Sequence, residues 1–88
     1  MITGPQMRAA RALLGIDQKR LAVLSGVSVP TIQRMETSKG DVRGDVDSLA
    51  KMIAALDHAG VELIAENAVS HSTGRGVRFR EPSRPIHP

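Results

Sequence analysis

Cysteine, tryptophan and tyrosine are absent from the 88 residues, and Phe79 is the only phenylalanine. Without cysteine there are no disulfide staples and no thiolate metal sites, a composition that fits a reducing cytoplasm. With one aromatic ring, the core must come from Leu, Ile, Val, Met and Ala, which suits packed helices better than a sandwich of strands. No run approaches the roughly 20 apolar residues that span a bilayer. Residues 1–5 show no basic segment followed by an apolar stretch, so neither a membrane association nor a signal peptide is expected. Charge of either sign is modest, with a formal net of +3. The basic groups are mostly arginine, whose planar fork suits phosphate or carboxylate partners, but a balance this small identifies no partner by itself. The length allows one domain, burying about 60–65% of its unfolded-chain surface and so only thinly stable.

What the chain does have is a succession of helix boundaries. Thr3-Gly4-Pro5-Gln6 reads as a capped helix start, with proline in the turn where its missing N–H costs nothing. Met7, Ala10, Leu13 and Leu14 follow at helical spacing until Gly15. Asp17 caps a second segment, residues 18–25, with Leu21, Ala22 and Leu24 as its apolar positions. Gly26 supplies a left-handed turn, and Ser28 caps a third helix, residues 29 to about 37, with Ile32 and Met35 inward. Residues 38–46 lack periodicity and read as a loop. Asp45 or Asp47 caps a fourth helix carrying Leu49, Met52, Ile53 and Leu56, closed by Gly60. The period then changes: residues 61–65 and 77–80 are short β-prone runs separated by a polar stretch, and a hairpin is the simplest reading. Residues 81–88 are proline-rich and expected to be disordered.

The informative stretch is residues 17–36. Two capped helices of about two turns each are marginal alone, and a tight turn at Gly26-Val27 makes them share one core and projects the second outward. Gln18-Lys19-Arg20-Leu21-Ala22, Ser25-Gly26-Val27-Ser28 and Thr31-Ile32-Gln33-Arg34-Met35-Glu36 together resemble the helix-turn-helix of the lambda-repressor/Cro (XRE) family. The similarity runs from about Gln6 to Gly60. It implies a mainly α fold, a four- to five-helix DNA-binding domain over residues 1–60, here followed by the hairpin at 61–80. It also implies a sequence-specific transcriptional regulator, nucleoid-associated in the cytoplasm, whose partner is double-stranded DNA.

Position by position, the resemblance gives Gln18 a phosphate contact and a bracing role, and makes Ser28 the cap of the recognition helix. Val29, Pro30, Thr31, Gln33 and Arg34 become the residues facing base edges. Gln33 is suited to pair bidentately with adenine and Arg34 with guanine or phosphate, while Val29 or the Thr31 methyl can meet a thymine methyl. Arg11 and Glu36 match an ion pair of the family that joins the first helix to the end of the third. Two departures stand out. Val29 and Pro30 replace polar side chains common at the start of that helix. The following loop carries Asp41 and Asp45, which repel phosphates unless turned away, with Lys39 and Arg43 as compensating cations.

Other constellations are weaker. Arg8, Lys19, Arg20 and Lys51 read as solvated surface. His58, His71 and His87 share no ligand spacing, so no metal is expected. The acids of residues 41–47 have the wrong spacing for a calcium loop. Ser25, Asp57 and His58 form no triad, since adjacent helical residues point apart. Gly74-x-Gly76 precedes no helix, so neither a cofactor nor catalysis is called for. Arg75, Arg78, Arg80 and Arg84 read either as electrostatic help with DNA or as an edge strand guarded by charge, with Val77 and Phe79 inward; the strand is the preferred reading. Because one recognition helix reads few base pairs, a homodimeric repressor is expected. Leu63, Ile64 and Phe79, with exposed faces of Leu56 or Met52, are its interface candidates. The alternative is an antitoxin that binds a toxin through its C-terminal part and represses its own operon.

Overall fold

The structure is a computed structural model that describes residues 2–82. Most of the tail expected to be disordered, with Arg84 and His87, therefore lies outside the described residues. Four helices follow in order: α1 (Gly4–Leu14), α2 (Gln18–Ser25), α3 (Val29–Glu36) and α4 (Val46–His58). Each begins at a side-chain cap. Thr3 and Gln6 form a reciprocal capping box at α1, and Asp17, Ser28 and Asp45 accept from the amides of Arg20, Thr31 and Ser48. These oxygens satisfy amide donors that have no partner inside a helix. Gly15 and Gly26 end α1 and α2 in the left-handed conformation.

α2 packs on both α3 and α4, and α1 on α3. Met7, Leu21, Ile32, Met35, Met52 and Leu56 are completely buried where the helices meet, each contributing roughly 1.5–3 kcal/mol by leaving water. The core is narrower than the apolar spacing implied. Leu13, Leu24 and Ile53 keep 57, 44 and 38% of their surface exposed, because helices around so small a centre cover only a thin stripe. Ile2, Val27 and Val42, which stand outside any helical period, join the core instead.

The expected hairpin is absent. Among the described residues there is no strand, only an isolated antiparallel bridge between Thr3 and Asp41. Residues 61–80 form an irregular arm. Its first part packs Val61 and Leu63 on the core, while Val77 and Phe79, expected inward, stay 88 and 63% exposed. A lone two-stranded ribbon is marginal in water, and side-chain bonds here give the backbone a competing arrangement. The Arg78 guanidinium donates to the Ala68 and Ala65 carbonyls at 2.7 and 3.4 Å, Glu62 accepts from Ser70 Oγ and the His71 amide, and Gln6 Nε2 donates to the Ile64 carbonyl at 3.0 Å. Met52 and Leu56 are fully buried, so the exposed faces once expected to serve a dimer do not exist.

Two glycines are required for different reasons. Gly26 turns with φ of 74° in open space, so a side chain there meets only backbone strain. A Cβ on Gly4 would lie 2.3 Å from the Ser38 carbonyl oxygen and 2.9 Å from that of Glu36, where backbone must move. We expect Gly26→Ala to cost about 1–2 kcal/mol and Gly4→Ala to reach or pass the upper end of the ~1–3 kcal/mol typical of overpacking. Denaturant melts of the two variants check this order.

Candidate nucleic-acid interface

α3 divides its residues sharply. Ile32, Met35 and Glu36 are buried, while Pro30, Gln33 and Arg34 are exposed and Val29 and Thr31 half-buried. The exposed side is ordered by its own contacts. Ser28 Oγ receives the Thr31 amide at 3.4 Å and donates to Thr31 Oγ1 at 3.0 Å. Arg34 Nη2 donates to that same Thr31 oxygen at 3.2 Å. Pro30 occupies the first turn, where no intrahelical donor is lost. The five residues expected to face base edges thus lie on one short rod, with its amide end capped by Ser28.

Behind the rod sits a buried carboxylate. Glu36 is only 3% exposed. Its Oε2 accepts from Arg11 Nε at 2.6 Å and its Oε1 from Arg11 Nη2 at 2.8 Å, a bidentate pair. Gln18 Nε2, at the start of α2, donates to Oε1 at 3.1 Å. Arg11 Nη1 also donates to the Ile16 carbonyl at 3.3 Å, and Arg8 donates to the Glu36 carbonyl. The bracing role expected of Gln18 therefore has a geometry: its amide joins α2 to the end of α3. Arg8 is exposed, as read from the sequence, and its guanidinium also reaches the end of α3. Its position three residues before Arg11 puts both on one side of α1, which is the signal that could have found this contact.

Lys39 and Arg43 are exposed on the loop after α3, and among the described residues neither forms an ion pair. The two acids beside them are differently placed. Asp45 caps α4 through Ser48, at 2.7 Å to its amide and 3.1 Å to its hydroxyl, bonds that hold its carboxyl below the ordinary range. Asp41 lines a groove with Thr3 and Gln6, on the side where the C-terminal arm meets α1. No group of three or more His, Asp or Glu side chains among the described residues could hold a metal ion, and no helix there is long and apolar enough to cross a membrane.

Burial opposes ionisation of Glu36, but the hydrogen bonds from Arg11 and Gln18 and the charges of Arg11 and Arg8 outweigh it and hold the carboxyl below its usual range. A carboxylate whose pKa is depressed by folding stabilises the protein above its unfolded pKa and loses that contribution as pH falls through the folded value. The melting temperature should therefore begin to decline as pH falls to the unfolded carboxylate value of ~4.3 and continue to fall below it. Glu36→Gln should flatten that part of the profile. Arg11→Ala at neutral pH should cost on the order of 3 kcal/mol, the low end for breaking a buried pair, because Arg11 keeps 22% of its side chain in solvent. Thermal melts of both variants across pH test the assignment.

The comparisons agree with this geometry. The sequence matches the Helix-turn-helix family (HTH_3) over residues 7–57, more than half of the chain and the whole of α2 and α3. An uncharacterized HTH-type transcriptional regulator of Haemophilus influenzae is 41% identical over 51 residues, which are 58% of this chain and 50% of that protein. The chain thus spans about half the length of the curated relative it matches. With four capped helices, the turn at Gly26 and the buried Arg11–Glu36 pair in place, the chain belongs to the XRE-type, lambda-repressor/Cro-like helix-turn-helix family.

Proposed function

We propose that this chain is a sequence-specific DNA-binding transcriptional regulator, a homodimeric repressor that reads the major groove with α3. The observation that carries the reading is the outer side of α3, where Pro30, Gln33 and Arg34 stand exposed on a helix held from behind by Glu36, Arg11 and Gln18. A major groove about 12 Å wide admits such a helix. Gln33 pairs with an adenine edge, Arg34 leaves the Thr31 hydroxyl for guanine or a phosphate, and Thr31 or Val29 meets a thymine methyl. The Ser28-capped amide end of α3 and Gln18 face the phosphate backbone.

Dimerisation follows from how little one short helix reads. Two copies whose recognition helices stand ~34 Å apart would read adjacent major-groove half-sites, a separation of the same order as the 33 × 32 × 23 Å extents of one protomer. The exposed Val77 and Phe79 of the arm, with Leu13 of α1, offer apolar surface for this contact. Arg8 and Arg11 turn toward α3, whereas Pro5, Ala9 and Leu13, one turn apart on another side of α1, line the groove against the arm. A dimer formed there leaves the recognition helix uncovered.

Selection of bound sites from a random DNA pool should enrich a pseudo-palindrome. Against that site, Gln33→Ala and Arg34→Ala should each lose about 1–3 kcal/mol of discrimination at one base pair per half-site with the thermal melt nearly unchanged. Intact affinity in either variant removes that residue from the readout. Sedimentation should show a dimer that Phe79→Ser weakens; a monomer both free and on DNA would reject the dimeric reading.

A further inference from the structure

The loop after α3 is fastened to the beginning of the chain. The Val42 amide donates to the Ile2 carbonyl at 2.9 Å and the Gly4 amide to the Gly40 carbonyl at 3.3 Å, flanking the antiparallel bridge of Thr3 with Asp41. The side chains close the same contact: Ile2 and Val42 are 3 and 2% exposed and belong to the main core. The bare Cα of Gly4 lets the first turn of α1 sit directly against the Glu36 and Ser38 carbonyls. Lys39 and Arg43 bracket this clip, one residue before Gly40 and one after Val42, and both remain exposed. Asp41, between them, lines the groove with Thr3 and Gln6, and Asp45 is engaged by Ser48.

The buried Val42 side chain and the two backbone bonds fix the course of the loop backbone between its two cations before any ligand arrives. Holding long side chains on an ordered backbone moves part of the ordering cost from binding to folding. We propose that Ile2 and Val42 are positioning residues for nucleic-acid binding, and that their clip holds Lys39 and Arg43 as a preordered pair of phosphate contacts beside α3. The inference rests on the DNA-binding reading above and adds to it the part of the molecule that sets the loop's contribution.

The test is a double-mutant series read as the salt dependence of binding to a double-stranded oligonucleotide of random sequence. A merely structural role lowers a melting temperature but does not change how many phosphates the loop engages. In the wild-type chain, Lys39→Ala and Arg43→Ala should each reduce the slope of log affinity against log salt by about 0.9. In an Ile2→Ala background the slope should already be reduced, and the same two loop substitutions should no longer change it. Ile2→Val and Val42→Ala serve if Ile2→Ala does not fold, with circular dichroism confirming the helices. Folded clip variants that keep the wild-type slope and full sensitivity to the loop substitutions overturn the proposal. So does a wild-type slope that ignores Lys39→Ala and Arg43→Ala. Gln33→Ala and Arg34→Ala on the selected operator report separately on α3, so loss of the clip and loss of the regulator reading are distinguishable.

Discussion

The structure depends on one buried carboxylate. Glu36 lies at the end of α3, and its two oxygens take three donors, two from Arg11 on α1 and one from Gln18 on α2. Desolvating that charge is expensive, and only close, fully bonded geometry repays it. The rest of the core is aliphatic and methionine-rich, with no aromatic ring among its buried members. Such contacts are non-directional, and helices joined by them alone could exchange one arrangement for another at little cost. The bidentate pair is directional. It brings three helices to one point and thereby sets the angle at which α3 presents its outer side.

How much of this was legible depends on how local the cause is. Thr3 with Gln6, Asp17, Ser28 and Asp45 act within three residues of themselves, so helix starts can be read directly from sequence, as can the helix end at Gly15 and the left-handed turn at Gly26. The burial of Ile2 and Val42 was not legible, because each is buried by the other and by a core assembled from distant segments. The failure at Val77 and Phe79 has the opposite cause. Their alternation is a genuine β signal, but a strand needs a neighbour, and none of the described segments offers one. Leu13, Leu24 and Ile53 show a third limit: spacing tells which side of a helix is apolar, not how much of that side a small core can cover.

The candidate site could be outlined to a similar depth. Gln33 and Arg34 could be placed because Ile32 and Met35 fix the inward side of α3, leaving the alternate positions to solvent. The resemblance assigned Gln18 its bracing role, but the contact with Glu36 Oε1 is a tertiary fact. The contact of Arg8 with α3 was missed because a single arginine on a helix is ordinarily solvated, and only the folded chain brings the Glu36 carbonyl to it. The acids of the following loop had raised a doubt that geometry resolves for Asp45, whose oxygens meet the Ser48 amide and hydroxyl.

That last point bears on the electrostatics of the whole surface. A net formal charge of +3 is small, but the charges are unevenly placed, because several of the acids are held by partners within the fold. Asp17 and Asp45 are directed at helix amide ends, Glu36 is buried with Arg11, Asp47 pairs with Lys51 one turn on, and Glu62 is held by Ser70 and His71 in the arm. Cations on α2, α3 and the loop after it, namely Lys19, Arg20, Arg34, Lys39 and Arg43, form no ion pair among the described residues. Under the proposed reading, a phosphate would meet this local imbalance at close range, since charges beyond about 10 Å are screened at ordinary ionic strength. Asp17 and Asp45 as helix caps, and Glu36 and Asp47 as ion-pair partners, thus serve the fold first, while the cations of α2, α3 and the following loop stand without a paired acid among the described residues.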